Sequence, residues 1–225
     1  MKKYNCPSCG AEVIFQSNLS VYAVCKYCNS MVVRHDVDVE SIGIMAALPD
    51  DMSPLQIGTG GVYKGQHFGI VGRMKIAWKD GVWNEWFLVM DGGQKGWLAE
   101  AQGSYAISFE VEAPLLLETE EAIDPLIDDF EEDSYKKQLE LGSYITLSNQ
   151  SLKVVDIKHA TCLGSEGELP FTAPQGRKTL CFDLLGGEGE FGSIEIFDGK
   201  QRAYLGNYVE WDEMHCQNLR TLEGW

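Results

Sequence analysis

The chain has 225 residues, 44% of them apolar and 11% aromatic, with a formal net charge of -16 and a pI near 4.6. That apolar content excludes a wholly disordered chain, and no stretch reaches the roughly 18 apolar residues of a transmembrane helix. An acidic surface repels nucleic-acid phosphates and anionic lipid headgroups, so it suits solubility or a basic partner and argues against direct nucleic-acid binding.

The opening MKKYNCPSCG carries two lysines without the apolar stretch of a signal peptide. A cytoplasmic location is expected, where reducing conditions favour metal binding or free thiols over disulfides. Four of the seven cysteines follow as Cys6, Cys9, Cys25 and Cys28, two Cys-x2-Cys pairs. Each pair points two sulfurs inward from one tight turn. Two facing turns make a thiolate tetrahedron, which suits one structural Zn2+. Gly10 and Asn29 directly follow the second thiol of each pair, where the chain needs positive φ. AEVIF, VYAVC and Val32–Val33 read as short strands. Residues 1–36 are therefore expected to form a zinc ribbon. Four protein ligands leave no open position, so the metal should hold structure and do no chemistry. The segment is too small for a core of its own, so metal should supply most of its stability. Residues 1–36 carry a net side-chain charge of +2 and the rest -18. With no basic-aromatic face, the ribbon is expected to meet protein rather than nucleic acid.

Residues 37–53 are expected to connect. Val39, Ile42, Met45 and Leu48 lie near helical spacing before Pro49, which predicts a short helix. Beyond them the chain is expected to be mostly β, in a barrel-like or sandwich-like domain built by duplication. LQIGTGGVYKGQHFGIVGR from Leu55 aligns without gaps on LELGSYITLSNQSLKVVDI from Leu139. FLVMDGGQKGWL from Phe87 resembles IEIFDGKQRAYL from Ile194, with an Asp-Gly hairpin signal in each. The repeats are placed at 54–112 and 138–225. The second holds extra length around CLGSEGELPFTAPQGRK, which reads as a long loop. Residues 113–137 form an acidic linker, with nine acids and no base from Glu118 to Asp133. Asp124-Pro125 could start a short helix there.

No catalytic motif stands out. GTGGVYKGQ lacks the Gly-Lys-Ser/Thr of a phosphate loop, and the four histidines are scattered. Cys162, Cys181 and Cys216 read as small buried apolar residues. The expected activity is non-enzymatic. The feature that points to binding is aromatic: Trp83, Trp86 and Trp97 stand close in sequence to Glu85 and Glu100. Rings beside carboxylates can hold an organic cation or a lysine-rich peptide, although strand tryptophans more often fill a core.

CPSCGAEVIF, CKYC, SPLQIGTGGVYKGQHFGIVGR, GVWNEWFLVMDGGQKGWLAEAQGSY, EGELPF and GEFGSIEIFDGKQRAYLGNYVEW together resemble the bacterial DUF4178 family in its form with an N-terminal zinc ribbon. The resemblance covers nearly the whole chain. Members are similar to proteins encoded near phage-shock-like membrane-stress proteins and polyamine-enzyme homologues. It implies an accessory role in an envelope-stress or polyamine-linked system and assigns no catalytic residues. Together these expectations describe an adaptor that docks unidentified protein partners, soluble or membrane-associated, without itself crossing a membrane. Disrupting Cys6 or Cys25 should then unfold the ribbon and leave the β domain folded. The alternative is a binding module for a cationic small molecule such as a polyamine.

Overall fold

The computed structural model describes residues 1–35, 38–48, 51–114 and 139–221. Most of the acidic linker, including the Asp124-Pro125 helix start, lies outside them. Among the described residues the chain is built from strands, with one 3-10 turn at Trp211–Met214.

The ribbon contributes β1 (Lys2–Asn5) and β2 (Glu12–Phe15), which pair with each other, then β3 (Tyr22–Val24) and β4 (Ser30–Arg34). The connecting helix expected over 37–53 is replaced by a strand, β5 (Val39–Ile44), antiparallel to β4. Its burial alternates with period two, and β-branched Val39, Ile42 and Ile44 with Gly43 favour a pleated edge over a helix.

The first repeat supplies β6 (Gly60–Tyr63), β7 (Gln66–Trp78), β8 (Gly81–Met90), β9 (Lys95–Ala101) and β10 (Ser104–Val111). The second supplies β11 (Tyr144–Leu147), β12 (Gln150–Leu169), β13 (Lys178–Leu185), β14 (Glu190–Phe197) and β15 (Lys200–Val209). The repeats do not form two separate barrels. The four-stranded meander β7–β10 and the four-stranded meander β12–β15 are joined along two seams, β10 to β15 and β12 to β7. Every ring strand therefore has two antiparallel neighbours, and eight strands close into one barrel without an open edge in the ring.

The duplication is visible bond by bond in its first half. Gly58 N–H donates to Ile70 O and Gly142 N–H to Val154 O, each at 2.8 Å. Ile70 N–H then donates to Thr59 O, as Val154 N–H does to Ser143 O. A β-bulge follows at matching places, between Ile70 and Gly72 and between Val154 and Asp156. The second alignment needs correction. Asp91-Gly92 turns between β8 and β9, whereas Asp198-Gly199 turns between β14 and β15, which is one hairpin later in its repeat. Two Asp-Gly turns look alike because the turn demands the residues, not because the hairpins correspond. The supposed long loop is also partly strand, since β12 continues to Leu169.

The seams need close backbone approach. A Cβ on Gly72 would collide with the Glu168 carbonyl beside the β12–β7 seam, and one on Gly206 with the Ile107 carbonyl across the β10–β15 seam. Two apolar clusters cover the outer faces of the ring. One gathers Leu55, Phe68, Trp86, Leu98 and Met214, and the other Leu147, Leu152, Phe182, Leu184 and Ile194.

Candidate functional site

The four ribbon thiols converge. The Sγ atoms of Cys6 and Cys28 are 3.6 Å apart, those of Cys9 and Cys25 are 3.8 Å apart, and all four lie within 4.8 Å of one another. None is in a disulfide. Four sulfurs about 2.3 Å from a shared ion would form a tetrahedron with edges of about 3.8 Å, so the set fits one metal ion. The two knuckles match. Gly10 N–H donates to Cys6 O and Asn29 N–H to Cys25 O, and Gly10 (φ 76°) and Asn29 (φ 57°) take the left-handed conformation their positions predict.

The ribbon is joined to the barrel by its sheet. β3 pairs with the last residues of β12, Ala23 opposite Glu168 and Tyr22 opposite Leu169. The Glu168 carboxylate, 3% exposed, accepts backbone N–H groups of Gln16 at 2.6 Å and Ser17 at 3.1 Å. Tyr22 is fully buried, its hydroxyl 3.2 Å from Ser165 Oγ. It shares one apolar cluster with Leu169, Phe171 and Trp97.

That cluster underlies a cavity of about 380 Å³ to which all eight ring strands contribute side chains, which makes it the barrel lumen. Its aromatic lining includes Trp83, Trp97, Phe171 and Tyr204. Its charged lining is Glu85, Asp183 and Glu195 against Lys158. Phe171, just past the end of β12, floors one end. Its ring lies 5.7 Å from Trp97, and the guanidinium groups of Arg202 and Arg177 stack on it at 4.3 and 4.9 Å. Tyr208 also lines the cavity and is 48% exposed, so solvent reaches the lumen on that side.

Electrostatics single out Glu85. Its carboxylate accepts the Trp83 indole N–H at 2.8 Å, and among the described residues no basic side chain lies within ion-pair distance of it. Burial, reinforced by the charges of Glu195 and Asp183, pushes its carboxyl up to about 8. Burial raises Glu195 as well, opposed by Arg177 and Arg202. The Cys181 thiol, also in the lumen, is pushed well up by burial, which leaves it a protonated and poor nucleophile.

The five residues expected to share one surface are divided by the strand's period of two. Trp83, Glu85 and Trp97 face the lumen. Trp86 and Glu100 point to the other side of the sheet, into a buried polar network. There Glu100 accepts from Ser53 Oγ at 2.7 Å, Trp86 Nε1 at 2.9 Å and Asn84 Nδ2 at 3.0 Å. Asp51 accepts from Lys75, Arg220 and Arg73. Burial alone would raise Asp51; the Lys75 hydrogen bond and the Arg73 charge overcome it and hold the carboxyl at about 2. Glu100 and Trp86 are thus structural and no part of an exposed partner surface. The lumen residues missed from sequence are Lys158, Asp183 and Glu195. Their signal was a charge alternating with apolar residues, as in Ile194-Glu195-Ile196, which reads equally as a solvent face.

The DUF4178 family, described as a domain of unknown function, matches residues 56–211, more than half of the chain. This chain is a member of that family. The match takes in all eight ring strands, so the DUF4178 region is the closed barrel, and the four-cysteine ribbon precedes it. Comparison with curated proteins returned no match, and neither did comparison with solved structures. Among the described residues no helix is long and apolar enough to cross a membrane.

Proposed function

We propose that this DUF4178 protein is a non-catalytic binding module that takes a small organic cation of the polyamine class into its barrel lumen. One observation carries the reading: Glu85 stands in an aromatic cavity near two further carboxylates, and among the described residues no basic side chain is within ion-pair distance, Lys158 acting on it only from further off. An ammonium placed there would meet ring faces and, once Glu85 releases its proton to solvent, a carboxylate, a combination that recognises organic cations. A volume near 380 Å³ is at the small end of ligand pockets, which suits a compact metabolite. In this reading the ribbon holds one structural Zn2+, since four thiolates at tetrahedral spacing suit zinc and leave it no open position. The protein would work in the cytoplasm, where the thiols stay reduced. Isothermal titration with spermidine tests the reading. Saturable binding that Glu85→Gln weakens about tenfold or more is expected, the size of one lost charged contact. A flat titration with the folded wild-type chain refutes it.

A second reading, an adaptor for a protein partner, is favoured by β5. Among the described residues this strand pairs on one side only, and it carries Ile42 and Ile44 at 44% and 76% exposure. An extended partner segment could add to such an edge. A partner captured by the wild-type chain and lost on Ile44→Asp would support it; equal capture by both would refute it.

A further inference from the structure

We propose that Lys158 is a tethered occupant of an alkylammonium seat at the border of the lumen, and that the ligand is an α,ω-diamine whose second ammonium displaces it. The proposal deepens the organic-cation reading above and rests on it.

The seat is built before any ligand arrives. Asp156 of β12 and Asp183 of β13 are direct cross-strand partners. Like charges in that relation destabilise a sheet unless a cation lies between them. Lys158, two residues along β12 on the same face, supplies it. Its Nζ is 2.6 Å from Asp183 and 3.1 Å from Asp156. The same Nζ lies 5.1 Å from the centre of the Trp78 ring and 5.5 Å from that of Trp83. Two carboxylates and two indole faces around one ammonium would receive any primary ammonium on the same terms.

Trp83 joins this seat to Glu85. The indole carries Lys158 over its ring and donates its N–H to the Glu85 carboxylate. Two cation positions therefore border one ring, one filled by the protein and the other, among the described residues, with no basic side chain in ion-pair range. A monoamine needs only the Glu85 position and leaves Lys158 in place. A diamine brings a second ammonium to the ring face of Trp83 over which Lys158 already sits. Exchange there conserves the charge between Asp156 and Asp183, and the four-carbon stem lets Lys158 swing its ammonium out to water. A seat held by its own side chain lowers the apparent affinity by the fraction of molecules in which it is vacant.

The test is titration of butylamine and 1,4-diaminobutane into the full chain. Wild type, Lys158→Met and Lys158→Met/Asp156→Asn are compared, the double variant keeping local charge balanced should the single one fail to fold. The variants should bind 1,4-diaminobutane about tenfold more tightly than wild type and still one to one, whereas butylamine should gain a second bound molecule at the vacated seat. Unchanged or weaker diamine binding by a folded variant, alongside binding of either amine by wild type, overturns the displacement and leaves the organic-cation reading standing. No binding of either amine by any of the three proteins overturns that reading itself.

Discussion

Replacing Glu85 with glutamine changes one oxygen for an NH2 and removes one ionisation from the lumen. In the folded chain the Glu85 carboxyl sits at about 8 against an ordinary 4.5, first because it is buried and then because Glu195 faces it. Between those values the folded chain holds a proton that the unfolded chain has released. Stability therefore falls as pH rises from about 5 to 8 and levels off above that. At about 1.4 kcal/mol per pH unit the ceiling of the effect is about 5 kcal/mol. Solvent enters the lumen past Tyr208, and screening of that kind reduces the expected effect to about 1–2 kcal/mol. Glutamine cannot ionise, so Glu85→Gln should match wild type at pH 5 and exceed it by about 1–2 kcal/mol at pH 9. Glu195 titrates in both proteins and is coupled to Glu85, so the difference reads the pair and not Glu85 alone. Urea denaturation of both at pH 5, 7 and 9 measures it. A pH-independent difference, or a less stable variant at pH 9, would refute the placement of Glu85 in a partly desolvated, acid-lined lumen.

Two further outcomes follow from the joints of the fold. Metal removal by a chelator, or Cys6→Ser, should lower the melting temperature of the barrel as well as the ribbon and shift tryptophan fluorescence, because Tyr22 and Glu168 tie β3 to the strand that leads into the Phe171 floor. An unchanged barrel transition would make the ribbon an independent unit, as expected from sequence. Gly206→Ala should cost about 2–4 kcal/mol in denaturant titration, since its methyl would run into the Ile107 backbone at a ring seam; a cost below about 0.5 kcal/mol would mean the seam can yield.

The thiol cluster was legible because its chemistry is local. Cys6, Cys9, Cys25 and Cys28 with Gly10 and Asn29 specify two knuckles by spacing and turn residue alone. The first half of the duplication was legible for the same reason, since matching turns and bulges follow one short alignment. The connector at Val39–Ile44 was misread because four apolar residues near helical spacing fit a strand equally well over so short a span. The tryptophan cluster was found but not resolved into its two faces. Proximity in sequence says nothing about which side of a sheet a residue takes until the register is known. Trp83 and Trp86, three apart, lie on opposite faces, and that alone separates a lumen residue from a structural one.

The sequence by itself determined the four-thiol cluster, the β-rich class and the presence of two related halves, because spacing, turn chemistry and side-chain period act over a few residues. Only the tertiary structure decided that the halves close into one ring. The seams β10–β15 and β12–β7 pair strands far apart along the chain, and no local pattern encodes such a partner. The lumen is a consequence of that closure. Glu85 comes from β8, Asp183 and Glu195 from the β13–β14 hairpin, and each reads separately as an ordinary surface acid. They form one site because closing the ring gathers both meanders around one lumen.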